Sequence, residues 1–357
     1  MPTALQIAQV RQTPLTAGLF MAMFKEAPLL AALQARPNAT KTFKGLAMSA
    51  LPTAHPFVNN NEGYTSYEGA FTLRSFEASK VGGKVQTDVS AARAWDAEAA
   101  GAGLTWFDIL LESQMAAQGI ALSKQIIQGT TLDAKGFPGL KQLTPFVSGN
   151  TLTDTESVST SEFSRSVINA AGTTDNTATS VYAIVEGPLD TQLVLCNAGT
   201  AGDIFTMEQE VYTMLPPDSS DTTKTSLHRV QQFEAYLGLS VAGMNQVNAT
   251  SPVYQRAVRR YANLTGDSGK GMTDARMQRL ARSFGGSKRP TLFVMATRSG
   301  EQLAASRQAS AVFNVNMGPG AASSQTFNAY PAPPETWEGI RIVYDDQAIG
   351  TTDALES

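Results

Sequence analysis

The sequence predicts an α+β protein, and three observations carry that prediction. Leu104 to Gln128 reads as one long helix that runs into the helix-breaking turn Gly136-Phe-Pro-Gly-Leu140. Three later runs, 180–185, 192–196 and 226–241, concentrate or alternate apolar residues as strands do. From about residue 262 the pattern becomes helix, strand, helix, loop and strand. Strands and helices grouped in separate runs, without strict alternation, are the mark of the α+β class.

The long helix has both of its ends written in the sequence. Thr105 occupies an N-cap position and Asp108 stands three residues on, the spacing of a capping box. Leu111, Met115, Leu122 and Ile126 fall on one face. Gly129 is placed to stop the helix, and Gly136, Pro138 and Gly139 forbid its continuation. Some 23 residues at about 1.5 Å each give roughly 35 Å. By itself such a stretch also fits the core helix of an α+β enzyme.

Ahead of it lie two segments with little core of their own. Residues 1–50 carry short apolar clusters broken by Pro14, Pro28 and Pro37 and read as an arm. Their apolar run, Leu15–Phe24, is too short to span a bilayer, so an amphipathic arm or a cleavable leader is expected. Residues 51–100 are polar and turn-rich, and Phe71–Ser79, Lys80-Val-Gly-Gly-Lys84 and the following Val-Gln-Thr-Asp-Val read as a β-hairpin about a Gly-Gly turn. An isolated hairpin is marginal in water. This one is therefore expected to dock on another surface, as a lid over a site or as a loop on a neighbouring subunit.

After the helix, 180–185 and 192–196 are read as strands joined by the turn 186–190, with 226–241 as a third, alternating strand. Pro252–Tyr261 is read as a short helix and 266–271 as a linker. Then come a helix from Thr273 to Phe284, a buried strand at Thr291–Ala296, a helix at Ser299–Gln308 and a last strand at Thr336–Tyr344.

Composition narrows the function. The chain has 357 residues, enough for about two domains. Its charged content is 16%, against a usual ~25%, so much of the surface is expected to meet protein. A net charge of −4 excludes a global basic field. One cysteine excludes an internal disulfide framework. Two histidines far apart, His55 and His228, cannot with Cys196 make a thiol–imidazole metal cluster. The 266–273 segment lacks the Gly-Lys-Ser/Thr order a phosphate loop needs. No catalytic residue, cofactor or metal is expected. Arg256, Arg259 and Arg260, then Arg276, Arg279 and Arg282, read as two basic helical faces, either paired within the chain or offered to a subunit or to nucleic acid.

The order of these parts resembles the major capsid protein of tailed bacteriophages, the Hong Kong 97-type fold. The resemblance rests on Gln125-Ile-Ile-Gln-Gly129 with Gly136-Phe-Pro-Gly-Leu140, on Thr179–Val185 with Phe233–Val241, and on the helix at 273–284 with Thr291–Met295 and Trp337–Val343. It extends from about residue 40 onward.

The resemblance implies an N-terminal arm at 1–50, an E-loop β-hairpin at 51–100, a peripheral domain at 101–261 with its spine helix at 105–128, and an axial domain with a C-terminal strand at 262–357. It implies self-assembly into hexamers and pentamers of an icosahedral head shell around double-stranded DNA, in a virion assembled in the bacterial cytoplasm. Scaffolding protein, portal and decoration protein are the partners such a shell uses; DNA contact would be weak and non-specific, and no membrane is involved. Subunit contacts are expected at Lys80, Lys84, Phe71, Phe76, Arg256, Arg260 and Arg279. An encapsulin nanocompartment shell shares the fold and stays open as an alternative, as does an α+β enzyme with 51–100 as its lid.

Overall fold

The computed structural model describes residues 24–38, 40–50, 57–58, 63, 66, 70–98, 105–148, 150–154, 165–187, 190–196, 206–207, 209–215, 225–241, 257–284, 289–310 and 332–357. Along the chain come helix α1 (Pro28–Ala32) and strands β1 (Ala35–Asn38), β2 (Thr42–Ala50), β3 (Ala70–Glu77) and β4 (Ser79–Asp88). Helices α2 (Val89–Glu98), α3 (Trp106–Gln128) and α4 (Leu140–Leu143) follow. Next are β5 (Thr151–Thr153), β6 (Val167–Asn169), β7 (Thr179–Ile184), β8 (Thr191–Cys196), β9 (Thr206–Met207), β10 (Val211–Leu215), β11 (Ser226–Val241) and β12 (Val258–Leu264). The chain closes with α5 (Asp274–Arg282), β13 (Leu292–Met295), α6 (Thr297–Ser310), β14 (Thr336–Trp337) and β15 (Ile340–Tyr344).

The described residues gather into two compact units, one from 1–46, 73–143 and 187–242, the other from 47–72, 144–186 and 243–357.

In the first unit the 16-residue β11 organises a six-stranded sheet. One edge of β11 pairs antiparallel with β4 along His228–Leu237, and the other edge takes β10, β9 and β8 in turn. β1 adds parallel to β8. The long helix α3 supplies Leu111, Met115, Leu122 and Ile126, the predicted stripe, all buried. Fully burying each such side chain stabilises by roughly 2 kcal/mol. The capping box is formed: Thr105 Oγ1 accepts from the Asp108 amide and Asp108 accepts from the Thr105 amide. Residues 24–35, expected in a coreless arm, supply buried Phe24, Leu29, Leu30 and Leu33 to this chain's own core. β2 and β3 form a separate two-stranded pair, with the Phe43 and Phe76 rings stacked 5.5 Å apart.

Three expectations are corrected here. Gly82 and Gly83 are not a turn. They lie mid-strand in β4, opposite Glu234 and Phe233, where a Cβ would overlap the Phe233 carbonyl or ring. The partner of β3 is therefore β2, and that of β4 is β11. The strands 180–185 and 192–196 do not pair with each other; β7 and β8 belong to different sheets. Within β11 the expected alternation holds from Phe233 onward, but Leu227 is exposed while His228 and Val230 are buried.

The second unit is a seven-stranded sheet in the order β14-β15-β13-β7-β12-β6-β5. Pro252–Tyr261 was expected to be helical, but its described end enters strand β12, every residue of which is buried. Its arginines face partners on both sides, so no polar face remains to mark the strand. Met277, Leu280 and Phe284 of the α5 region pack with Val181, Tyr261 and Phe293, and Trp337 meets Phe293 edge-on at 5.9 Å. The segment 266–271 is a tied turn, not a linker: Asp267 accepts from the Thr173 and Thr174 amides and from the hydroxyls of Thr173, Thr174 and Thr265.

Candidate assembly surfaces

The end of the long helix is held by two glutamines. Gln125 is buried and donates through Nε2 to the Phe137 carbonyl at 2.9 Å. Gln142 accepts from the Thr130 amide at 3.0 Å and the Gly139 amide at 3.3 Å. The start of the helix is tied to the sheet. Arg229 of β11 lies 4.0 Å over the Phe107 ring and pairs with both carboxylate oxygens of Glu210 at 2.8 Å. That pairing, against slight burial, holds the Glu210 carboxyl below its ordinary range. A groove of about 550 Å³ runs along α3, floored by Ala117, Ala121 and Leu237 and rimmed by Lys80, Lys124 and Lys135.

The expected contact residues fall in different settings. Lys80 projects from β4 and is 57% exposed, with its amine paired to Glu234 and 6.0 Å from the Tyr236 ring. Lys84 is exposed on the same strand, opposite Gln232. Phe71 lies in β3, and Phe76 packs against Phe43 of its own chain. Arg256 lies outside the described residues.

Arg260 is a correction. Its side chain is 1% exposed, so it cannot present charge to another subunit. Two of its nitrogens meet the Glu356 carboxylate at 2.6 and 2.7 Å, and one donates to the Thr144 carbonyl at 3.0 Å. Tyr182 lies beside it, and burial pushes the tyrosine hydroxyl up to about 12. Arg279 also turns inward, onto the carbonyls of Thr153 and Asp154. Arg276 pairs with the Asp154 carboxylate at 2.6 Å, and Arg259 donates to the Arg165 carbonyl. Arg259, Arg260, Arg276 and Arg279 are thus clamps inside the second unit, closing on segments about a hundred residues away, while Arg282 is exposed. Only a search for distant acceptors, which a local sequence window does not contain, would have found them.

Other polar side chains are engaged within the chain, and His55 lies outside the described residues. Asp345 accepts from the Gln347 and Ala348 amides, and Asp346 from the amide and hydroxyl of Thr297 at the start of α6. His228 Nε2 stands 2.9 Å from Ser226 Oγ. Among the described residues no three His, Cys, Asp or Glu side chains stand together as a metal site, and no helix is long and apolar enough to cross a membrane.

Against solved structures, the chain matches that of bacteriophage epsilon15 over 91% of its own length and 88% of the other, at TM-score 0.52 and 13% identity. The fold is the Hong Kong 97-type capsid fold. Further similar structures are the procapsid of bacteriophage JBD30, covering 82% of this chain and 91% of that one at TM-score 0.36 and 11% identity, and the holo-SrpI encapsulin complex of Synechococcus elongatus, covering 66% and 87% at TM-score 0.39 and 9% identity. No protein-family model and no curated protein matches the sequence.

Proposed function

We propose that this chain is the major capsid protein of a tailed bacteriophage. Copies of it assemble into hexamers and pentamers of an icosahedral shell that encloses double-stranded DNA, in a virion put together in the bacterial cytoplasm. The observation that carries the reading is the epsilon15 likeness over nine-tenths of the chain. It is supported by the two-stranded pair β2–β3, separate from both larger sheets and ahead of the long helix, and by a charged content of 16%, low for a chain whose whole surface meets water.

In this reading α3 is the spine and the first unit is the peripheral domain. The β2–β3 pair is the root of the E-loop, and residues 24–35, which pack into the chain's own core, are not part of the arm. The second unit is the axial domain, which draws in 144–186 as well as residues after 243. Scaffolding, portal and decoration proteins are its partners in the head. The chain acts through assembly and carries out no chemical step.

The test is expression of the full chain, alone and with the scaffolding gene of its phage, followed by electron microscopy. Closed shells that package DNA are the expected outcome. Monomers under all salt conditions overturn the reading, and shells filled with a protein cargo replace it with a nanocompartment.

A further inference from the structure

The strand β10, Val211-Tyr-Thr-Met-Leu215, carries no charge and hydrogen-bonds to β11 along one edge only; among the described residues nothing pairs with its other edge. Its side chains are unusually bare: Val211 is 54% exposed, Tyr212 57% and Met214 58%, with Leu227 of β11 directly opposite Met214 at 41%. Proteins protect such edges with lysine, proline, bulges or inward charges, because free N–H and C=O groups recruit another strand. Within β10 itself there is no lysine, proline or charge.

Its electrostatics specify what covers it. At a two-fold contact the same patch meets itself, so every uncompensated charge faces its own like. Among the described residues the strand is neutral, and the adjoining carboxylate, Glu210, is paired within the chain with two nitrogens of Arg229. The patch is self-complementary in charge as well as in hydrogen bonding. It is also small. A five-residue strand falls well short of the roughly 800 Å² per partner of a stable pairwise interface, so it closes only where other contacts already hold the copies together.

We propose that β10 is a contact between two copies of this chain in the assembled shell. Two β10 strands lie antiparallel, edge to edge, about a local two-fold axis centred on Thr213, and join the two six-stranded sheets. In that register Tyr212 stands opposite the partner's Met214. The inference rests on the shell reading above.

The test uses particles of Thr213→Cys in a Cys196→Ser background. With diamide added, two thiols at the axis give up two protons and two electrons to the oxidant and form one disulfide between chains. Val211→Cys in the same background is the control, because four residues of offset carry its sulfur beyond disulfide reach. Dimer formation by T213C about tenfold above V211C is expected, on the Cα separation a disulfide tolerates. Particles with no T213C dimer, or with equal dimer from both variants, overturn the contact and leave the shell reading standing. Slow amide exchange of β10 in such dimer-free particles would identify a different occupant and overturn it too. If the wild-type chain builds no particles at all, the shell reading falls, and this contact falls with it.

Discussion

Gly129 and Gly139 meet backbone to backbone. A Cβ on Gly129 would stand 2.8 Å from the Gly139 Cα, and one on Gly139 would stand 2.7 Å from the Ile127 carbonyl oxygen and 2.8 Å from the Gly129 Cα. Gly129 also has φ +66, a conformation that side chains resist. This contact lets the turn after the long helix fold back against its last residues. Gly139→Ala is therefore expected to destabilise the first unit by about 2 kcal/mol, the usual cost of forcing atoms into a packed site. Gly129→Ala should cost more, because strain at φ adds to the overlap. Urea unfolding of both variants checks the order; equal stability to wild type would mean that the turn sits elsewhere.

The ion pair of Arg260 with Glu356 makes the C-terminal segment part of the fold. Glu356→Ala leaves a guanidinium that is 1% exposed with its charge uncompensated, and removing one partner of a buried pair costs about 3–5 kcal/mol. Here Glu356 is 20% exposed and Thr144 still accepts from the arginine, so the lower end, ~3 kcal/mol, is expected. Replacing Arg260 by Met should cost less, because it removes the buried charge along with the pair. Denaturant midpoints of the two variants test this, and a milder loss in E356A than in R260M would contradict it.

How much of this was readable in advance depended on distance along the chain. The long helix was legible because its signals are local: Thr105 and Asp108 are three residues apart, and the buried stripe repeats every turn. The Gly82-Gly83 pair was misread because a turn and a close approach both demand glycine, and the Phe233 ring that decides between them lies 150 residues later. β12 was misread because a strand buried on both faces has no alternation. Its two central arginines then looked like a helical basic face, when their partners are Arg165, Thr144 and Glu356. Strand identity was read correctly at β7 and β8, but their separate sheets were not, since closeness in sequence favours the simpler hairpin.

Asp267 is expected to make the second unit sensitive to acid. Five hydrogen bonds from Thr173, Thr174 and Thr265 hold its carboxyl well below the ordinary range, with the Thr174 hydroxyl the largest cause. The folded state therefore binds this proton more weakly than the unfolded state. Its contribution to stability is complete above the unfolded value of about 3.9 and is lost as pH falls from there toward the depressed folded value. Asp88, held low mainly by Ser90 and Ser226, acts in the same direction in the first unit. Thermal melts across the acid range should show a falling midpoint below about pH 4, shallower in Asp267→Asn. An unchanged acid slope in D267N would show that other carboxylates carry the transition.

The long helix α3 can be broken by one substitution midway along it. Gln118 lies midway along α3 and is only partly buried, beside Gly119 on the buried face. A proline there removes one main-chain hydrogen bond and drives its ring into the carbonyl four residues earlier, at about 3 kcal/mol or more. The damage is directional as well as energetic. A kink at 118 separates the half of the helix anchored by Phe107 and Arg229 from the half anchored by Gln125 and the Phe137 turn. If α3 is the element on which a shell subunit is built, Gln118→Pro should abolish closed particles, whereas Gln118→Ala, which keeps the helix straight, should assemble as wild type does. Electron microscopy of both, alongside circular dichroism to follow helix content, decides the matter: normal shells from Q118P would remove α3 from its role as the spine.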